Sequence, residues 1–140
     1  MANTILLKGR GIRQEAVAAG AFTPGHLLKM DNTGKLLVHA AAKGYAVPRF
    51  AVENDIVGKE IGDAYAADDY AQSEILHSGC EVLGFMEVSA AAVVIGDFVE
   101  SAGDGSFQKW TDGVALAECL EAVDNSANAS SQARIKLRLL

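Results

Sequence analysis

The residues of this 140-residue chain that could carry chemistry are three histidines, two cysteines and a scatter of Asp and Glu. His77 and Cys80 stand three positions apart, and a Cys/His pair can serve as nucleophile and base. Their spacing spans a Gly-containing turn, however, and predicts a packed thiol beside a surface histidine. His26, His39 and His77 have no His or Cys neighbour at the short spacings that zinc ligands need. Gly9-Arg10-Gly11 lacks the third glycine of a dinucleotide fingerprint, since Gln14 occupies that position. Gly34-Lys35 fails as a phosphate loop, because Lys29 and Leu36 stand where the first glycine and the hydroxyl belong. Asp68-Asp69, Asp104 and Asp112 do not form the regular Asp ladder of a calcium loop. No metal or cofactor is expected, and the chain reads as a non-enzyme.

The elements that would position these residues are short strands. Arg134-Ile135-Lys136-Leu137-Arg138-Leu139-Leu140 alternates polar and apolar, which places Ile135, Leu137 and Leu139 on one face of a half-buried strand. Leu27-Leu28 and Leu36-Leu37-Val38 flank Asp31-Asn32-Thr33-Gly34, and Phe98-Val99 and Phe107 flank Ala102-Gly103-Asp104-Gly105; both predict hairpins. Further strands are expected at Tyr45–Val47, Glu81–Val88 and Val114–Ala117, with a helical turn or two after Asn54. A displacement of 71 residues superposes 17–54 on 88–125 without a gap: Gly25 falls on Gly96, Gly34 on Gly105, and Ala51-Val52-Glu53-Asn54 on Ala122-Val123-Asp124-Asn125. The fold class expected is therefore all-β, a small barrel or sandwich built from two related hairpin-plus-strand units that bury their apolar faces together. Segment 55–79 reads as an insertion, residues 1–14 as an extended arm loosened by Gly9 and Gly11, and 15–140 as one β domain.

Charge is divided unevenly. The chain carries 12 basic and 18 acidic residues, net −6. Six of the basic ones are terminal: Lys8, Arg10, Arg13, Arg134, Lys136 and Arg138. Residues 14–133 hold the other six against all eighteen acids, net −12. Such an acidic body disfavours nucleic acid as a partner. The six terminal cations are the candidate contacts for an acidic protein surface, or else solvent-facing strand positions. No apolar run approaches the ~20 residues of a membrane-spanning helix, the N-terminus does not read as a secretory signal, and both cysteines read as reduced, buried thiols.

The order and spacing of several short motifs resemble the small capsid cement, or head-decoration, proteins of tailed bacteriophages. They are Gly25-His26-Leu27-Leu28 with Gly34-Lys35-Leu36, Gly79-Cys80-Glu81-Val82, Ile95-Gly96-Asp97-Phe98-Val99 with Gly103-Asp104-Gly105, Val114–Glu118, and Ala133–Leu140. His26 stands where the family has an acidic residue, and Cys80 replaces the one after Gly79. The resemblance implies a structural subunit, a homotrimer made in the host cytoplasm, that sits on the outer surface of the virion. There it would bind the major capsid protein across capsomer junctions and stabilise the shell. A cellular oligomerisation module and a small-ligand-binding barrel are the alternatives.

Overall fold

Apolar runs bounded by Gly, Asn and Asp fold as short strands because each buries one face while the bounding residues form the turns. The computed structural model describes residues 3–140. Its strands are β1 (Leu6–Lys8), β2 (Ile12–Val17), β3 (Leu28–Met30), β4 (Leu36–Val38), β5 (Arg49–Ala51), β6 (Tyr70–Ile75), β7 (Glu81–Met86), β8 (Phe98–Ser101), β9 (Phe107–Lys109), β10 (Ala117–Cys119) and β11 (Ala133–Leu139). The helical content among the described residues is one 3-10 turn, Asp55–Val57, directly after Asn54. The chain is all-β, and both expected hairpins form, as β3–β4 and β8–β9.

Strands β7, β11, β10, β8 and β9 pair in that order, and a parallel bridge between Met86 and Phe107 returns β9 to β7. The result is a closed five-stranded barrel, with β1 added outside it on β7. The first half of the chain follows the same path. β2, β6 and β5 form a sheet, an antiparallel bridge between Leu27 and Phe50 leads to the β3–β4 hairpin, and a parallel bridge between Ala18 and Leu36 returns to β2. Matching hydrogen bonds occur in both halves. Gly25 N–H donates to Ala51 O and Ala51 N–H to His26 O, just as Gly96 N–H donates to Cys119 O and Cys119 N–H to Asp97 O. Ala19 N–H donates to Leu36 O as Glu87 N–H does to Phe107 O.

The duplication is therefore wider than 17–54 and 88–125: each copy is a five-stranded barrel, not half of one. Segment 55–79 is not simply an insertion, because it contains β6, the counterpart of β11. The ungapped displacement of 71 misses this pairing because the copies differ in loop length. Ala51 matches Cys119, 68 residues on, and Tyr70 matches Arg134, 64 residues on. Two other expectations shift. Tyr45–Val47 is not a strand; it continues a connection that runs beside the second barrel, where Lys43 N–H donates to Ser101 O and Val114 N–H to Lys43 O. The strand expected at Val114–Ala117 begins only at Ala117.

The extended arm expected over 1–14 does not form from Ile5 onward. Ile5 is fully buried, β1 pairs with β7, and Ile12–Gln14 open β2 against β6. Gly9 and Gly11 do not loosen this segment but let it lie close to its neighbours: a side chain at Gly11 would meet Ile75 O at 2.8 Å. Met1 and Ala2 lie outside the described residues.

Each barrel is filled by its own inward side chains. Ala18, Leu28, Leu36, Ala51 and Ala71, capped by Phe22 and Tyr65 with ring centroids 5.5 Å apart, fill the first. Val82, Met86, Val99, Phe107, Ile135 and Leu137 fill the second. Outward residues of the first barrel, Leu27 and Phe50 among them, join the second core, and Phe50 lies 6.0 Å from Phe107, nearly parallel to it. Burying such a ring contributes roughly 2–3 kcal/mol. The β8–β9 hairpin tip completes the junction: Leu27 N–H donates to Gly105 O (2.8 Å) and Gly105 N–H to His39 O (3.1 Å).

Gly105 and its counterpart Gly34 have nearly the same backbone, φ +84 and +83, in different surroundings. A Cβ on Gly34 meets open space, whereas one on Gly105 lies 3.0 Å from Val38 and 3.2 Å from Leu27 O. Gly34→Ala should cost about 1 kcal/mol, the strain of a left-handed alanine. Gly105→Ala should cost at least about 1 kcal/mol more, because it also pries the barrels apart. Urea denaturation of both variants measures the difference, and equal losses would show that the tip does not wedge the junction.

Candidate interaction surfaces

Four of the six terminal cations are committed within the chain. Lys8 lies 3.7 Å from Glu81, and Arg138 lies 3.4 Å from Glu81 and 3.0 Å from Glu118. Because β10, β11, β7 and β1 are adjacent, Glu118, Arg138, Glu81 and Lys8 form a ladder of alternating charge across one outer face. Hydrogen bonds that it donates to Glu118 and Glu81 hold the Arg138 guanidinium above its ordinary pKa. Arg13 donates to Gln72, to Glu53 O and to Asp55. The ladder is what opposite charges on paired strands do, and solvent screening keeps each exposed pair weak.

Arg134 is built into the barrel junction. Its guanidinium lies 4.0 Å from the centre of the Phe85 ring and donates to Pro24 O (2.6 Å) and Ile61 O (2.9 Å), both in the first half of the chain. Burial lowers its pKa from the ordinary value. Arg10 and Lys136 are exposed, and among the described residues neither side chain makes an ion pair. The six cations thus do not form one patch, and two of them remain open to a partner.

His26 sits in the same junction, with its ring 4.7 Å from that of Phe85. The turn it closes is one of several alike: Thr23 N–H donates to His26 Nδ1, Glu60 N–H to Asp63, Ala66 N–H to Asp69 and Val94 N–H to Asp97, each three residues on. His26 thus replaces an acidic residue by offering its unprotonated nitrogen as the acceptor, while Nε2 donates to Gln132 (2.7 Å). Burial is the main cause that lowers its pKa below 6.5, against opposing contributions from Gln132 and Asp104. His39 is a further buried histidine of the junction. Its Nε2 donates to Tyr45 O (3.1 Å) and Nδ1 takes the hydroxyl of Ser101 (2.8 Å), which joins the connection to the second barrel.

The thiols are buried and unpaired. Cys80 Sγ lies 3.7 Å from His77 Nδ1 and 3.6 Å from Nε2, nearly equidistant from both, so the thiol is not aimed at one nitrogen. Cys119 is pushed up to about 11 by burial, with Asp97 and Glu118 adding to it. Among the described residues no three His, Cys, Asp or Glu side chains gather as a metal site, and no helix is long and apolar enough to cross a membrane. An apolar groove of about 190 Å³ lies where the C-terminal Leu139-Leu140 meets Tyr45, Pro48 and Val114, with Phe50 and Phe107 in its lining.

Sequence reasoning missed the exposed aromatics. Phe98 and Trp110 stand edge to face, 6.5 Å apart, at one end of the second barrel, and Tyr70 is exposed on the first. The repeat held the signal, since Phe98 falls on Leu27 and Trp110 on His39, both buried.

No protein-family profile matches the chain, and no curated protein matches it in sequence. Its fold is similar to that of the head fiber gp8.5 N base of bacteriophage phi29, with a TM-score of 0.61 over 94% of this chain and 95% of that one at 11% identity.

Two predictions follow from these sites. A histidine whose folded pKa is depressed binds fewer protons than in the unfolded chain, so stability present above pH 6.5 is lost as pH falls below it. His26→Asn should therefore flatten the decline in melting temperature between pH 7 and pH 5; an unchanged slope would exclude His26 as its source. Neither Cys80 nor Cys119 should react with an aromatic disulfide reagent at pH 8 in the folded protein, and both should react in urea. Rapid labelling of the native protein would show an open thiol.

Proposed function

We infer that the chain is a non-catalytic structural protein of a phage virion, a decoration subunit that binds the major capsid protein on the outer face of the head and associates with itself as a trimer. The observation carrying this reading is that the double-barrel architecture runs end to end alongside the head fiber base of phi29, leaving almost no part of either chain unmatched. The order of the Gly-Asp turn motifs points the same way. Both barrel interiors are filled by side chains, as suits a rigid module whose outer surfaces do the work.

Clamping is mechanical. A subunit that contacts two capsomers adds buried area at their seam, and many copies acting in parallel oppose internal pressure though each contact is modest. Arg10 and Lys136 are the cations of the terminal set open to an acidic capsid rim, whereas Lys8, Arg13, Arg134 and Arg138 hold the subunit itself together.

The test is co-sedimentation of the purified chain with expanded heads and with unexpanded precursors of the phage that encodes it. Saturable binding to expanded heads at a fixed ratio to the major capsid protein is expected. No binding to either form would overturn the reading. Arg10→Glu with Lys136→Glu should weaken that binding by about tenfold and reduce its salt dependence. The melting temperature should not change, whereas a sharp fall would return both residues to the fold.

A further inference from the structure

The two barrels meet head to tail: different faces of the repeated unit touch. The first barrel contributes the end carrying Pro24, His26, Leu27 and His39, and the second contributes Phe85 and Arg134 on its side and Gly105 at its hairpin tip. Because the unit is duplicated, each barrel also has the face that the other one uses. The second barrel carries Ile95, Asp97, Phe98 and Trp110 where the first has Pro24, His26, Leu27 and His39. The first carries Val17, Tyr70 and Gly34 where the second has Phe85, Arg134 and Gly105. The register supports this, since Tyr70 pairs with Val17 as Arg134 pairs with Phe85.

We propose that these two open faces bind each other between copies of this chain, so that the Phe98–Trp110 end of one copy's second barrel docks on the Tyr70–Val17 side of another copy's first barrel and repeats the internal junction.

Three observations carry this. The second-barrel face exposes a cluster of large apolar side chains, Ile95 at 71%, Phe98 at 43% and Trp110 at 42%, and the first-barrel face exposes Tyr70 at 67% beside half-buried Val17. Exposed apolar clusters of this kind mark interaction sites more often than scattered single residues do. Side-chain size is exchanged across the contact. Leu27 and His39 belong to a junction with a large Phe85, whereas the larger Phe98 and Trp110 would face the smaller Val17. Backbone polarity repeats in part. His39 N–H donates to Leu27 O, leaving Leu27 N–H and His39 O for the Gly105 tip; Trp110 N–H donates to Phe98 O, and no return bond runs from Phe98 N–H to Trp110 O. The second copy's β3–β4 tip offers the Gly34 carbonyl at the corresponding position, whereas Gly34 N–H already donates to Asp31 O (3.1 Å). Charge on the two faces is compensated in part: Asp97 is paired with Lys109 (3.6 Å) and Asp68 with Lys35 (3.8 Å) within each chain, whereas Asp69 beside Tyr70 and Asp31 in the β3–β4 tip have no ion pair among the described residues.

Because unlike faces meet, the contact is heterologous and closes only as a ring. The inference does not rest on the virion reading. A chain that self-associates but ignores capsids overturns the capsid-binding reading alone, and one that binds capsids as a monomer overturns this inference together with the trimer but leaves the capsid binding standing.

The test uses the full chain and analytical ultracentrifugation at micromolar concentration. The unaltered protein should sediment as an oligomer of the 14.7 kDa chain, and Trp110→Asp and Tyr70→Asp should each sediment as monomers with unchanged circular dichroism. Mixing the two variants should restore a one-to-one dimer and nothing larger, since each keeps the face that the other has lost. Should either variant fail to fold, Ile95→Asp and Val17→Asp place the charge on the same two faces. A monomeric parent, an oligomer that survives both substitutions, or folded variants that stay monomeric when mixed would each overturn the proposal.

Discussion

Everything in this molecule depends on a junction where one barrel's hairpin tip enters the end of the other. A five-stranded barrel of some sixty residues encloses too little apolar volume to be well stabilised alone. The first barrel shows this directly, since several of its inward positions are alanine and serine. Stability comes from giving the first barrel's outer residues, Leu27 and Phe50, to the second barrel's core. Gly105 makes that possible by presenting bare backbone where any side chain would press on Val38. Arg134 and His26 then clasp the same seam around Phe85, one as a donor to carbonyls and the other as an uncharged acceptor.

Much of this was legible in the sequence because local patterns report local structure. The alternation of Ile135, Leu137 and Leu139 and the Asp/Gly turns at 31–34 and 102–105 specify β11 and the two hairpins, and the Gly25/Gly96 match reveals the duplication. What stayed hidden required knowing what lies opposite. β6 reads Tyr-Ala-Gln-Ser-Glu-Ile and has little apolar content, because alanine and serine are enough to fill the narrow first barrel. Tyr45-Ala46-Val47 has the composition of a strand, but its backbone is taken up by the flank of the second barrel. Gly9 and Gly11 read as flexibility, although they serve close approach.

The candidate surface was less legible, for a related reason. Charge is easy to count and aromatic exposure is not. Arg13, Arg134 and Arg138 look like a basic surface in one dimension, and in three they are spent on Asp55, on Pro24 and Ile61, and on Glu118 and Glu81. Phe98 and Trp110 look like core residues, yet they face water. Only the comparison of equivalent positions in the two copies separates an apolar residue that has found its partner from one that has not.

The position of β1 has a mechanical consequence. β1 and β11 lie on opposite sides of β7 and are both antiparallel to it, so they run parallel to each other. A tug that draws the start of β1 and the end of β11 in opposite directions loads the hydrogen bonds on both sides of β7 along the strands. They must shear together and cannot open one after another. Strands sheared in this way resist force better than strands peeled from an edge, and here the resisting element sits where tension entering from either end of the fold meets first.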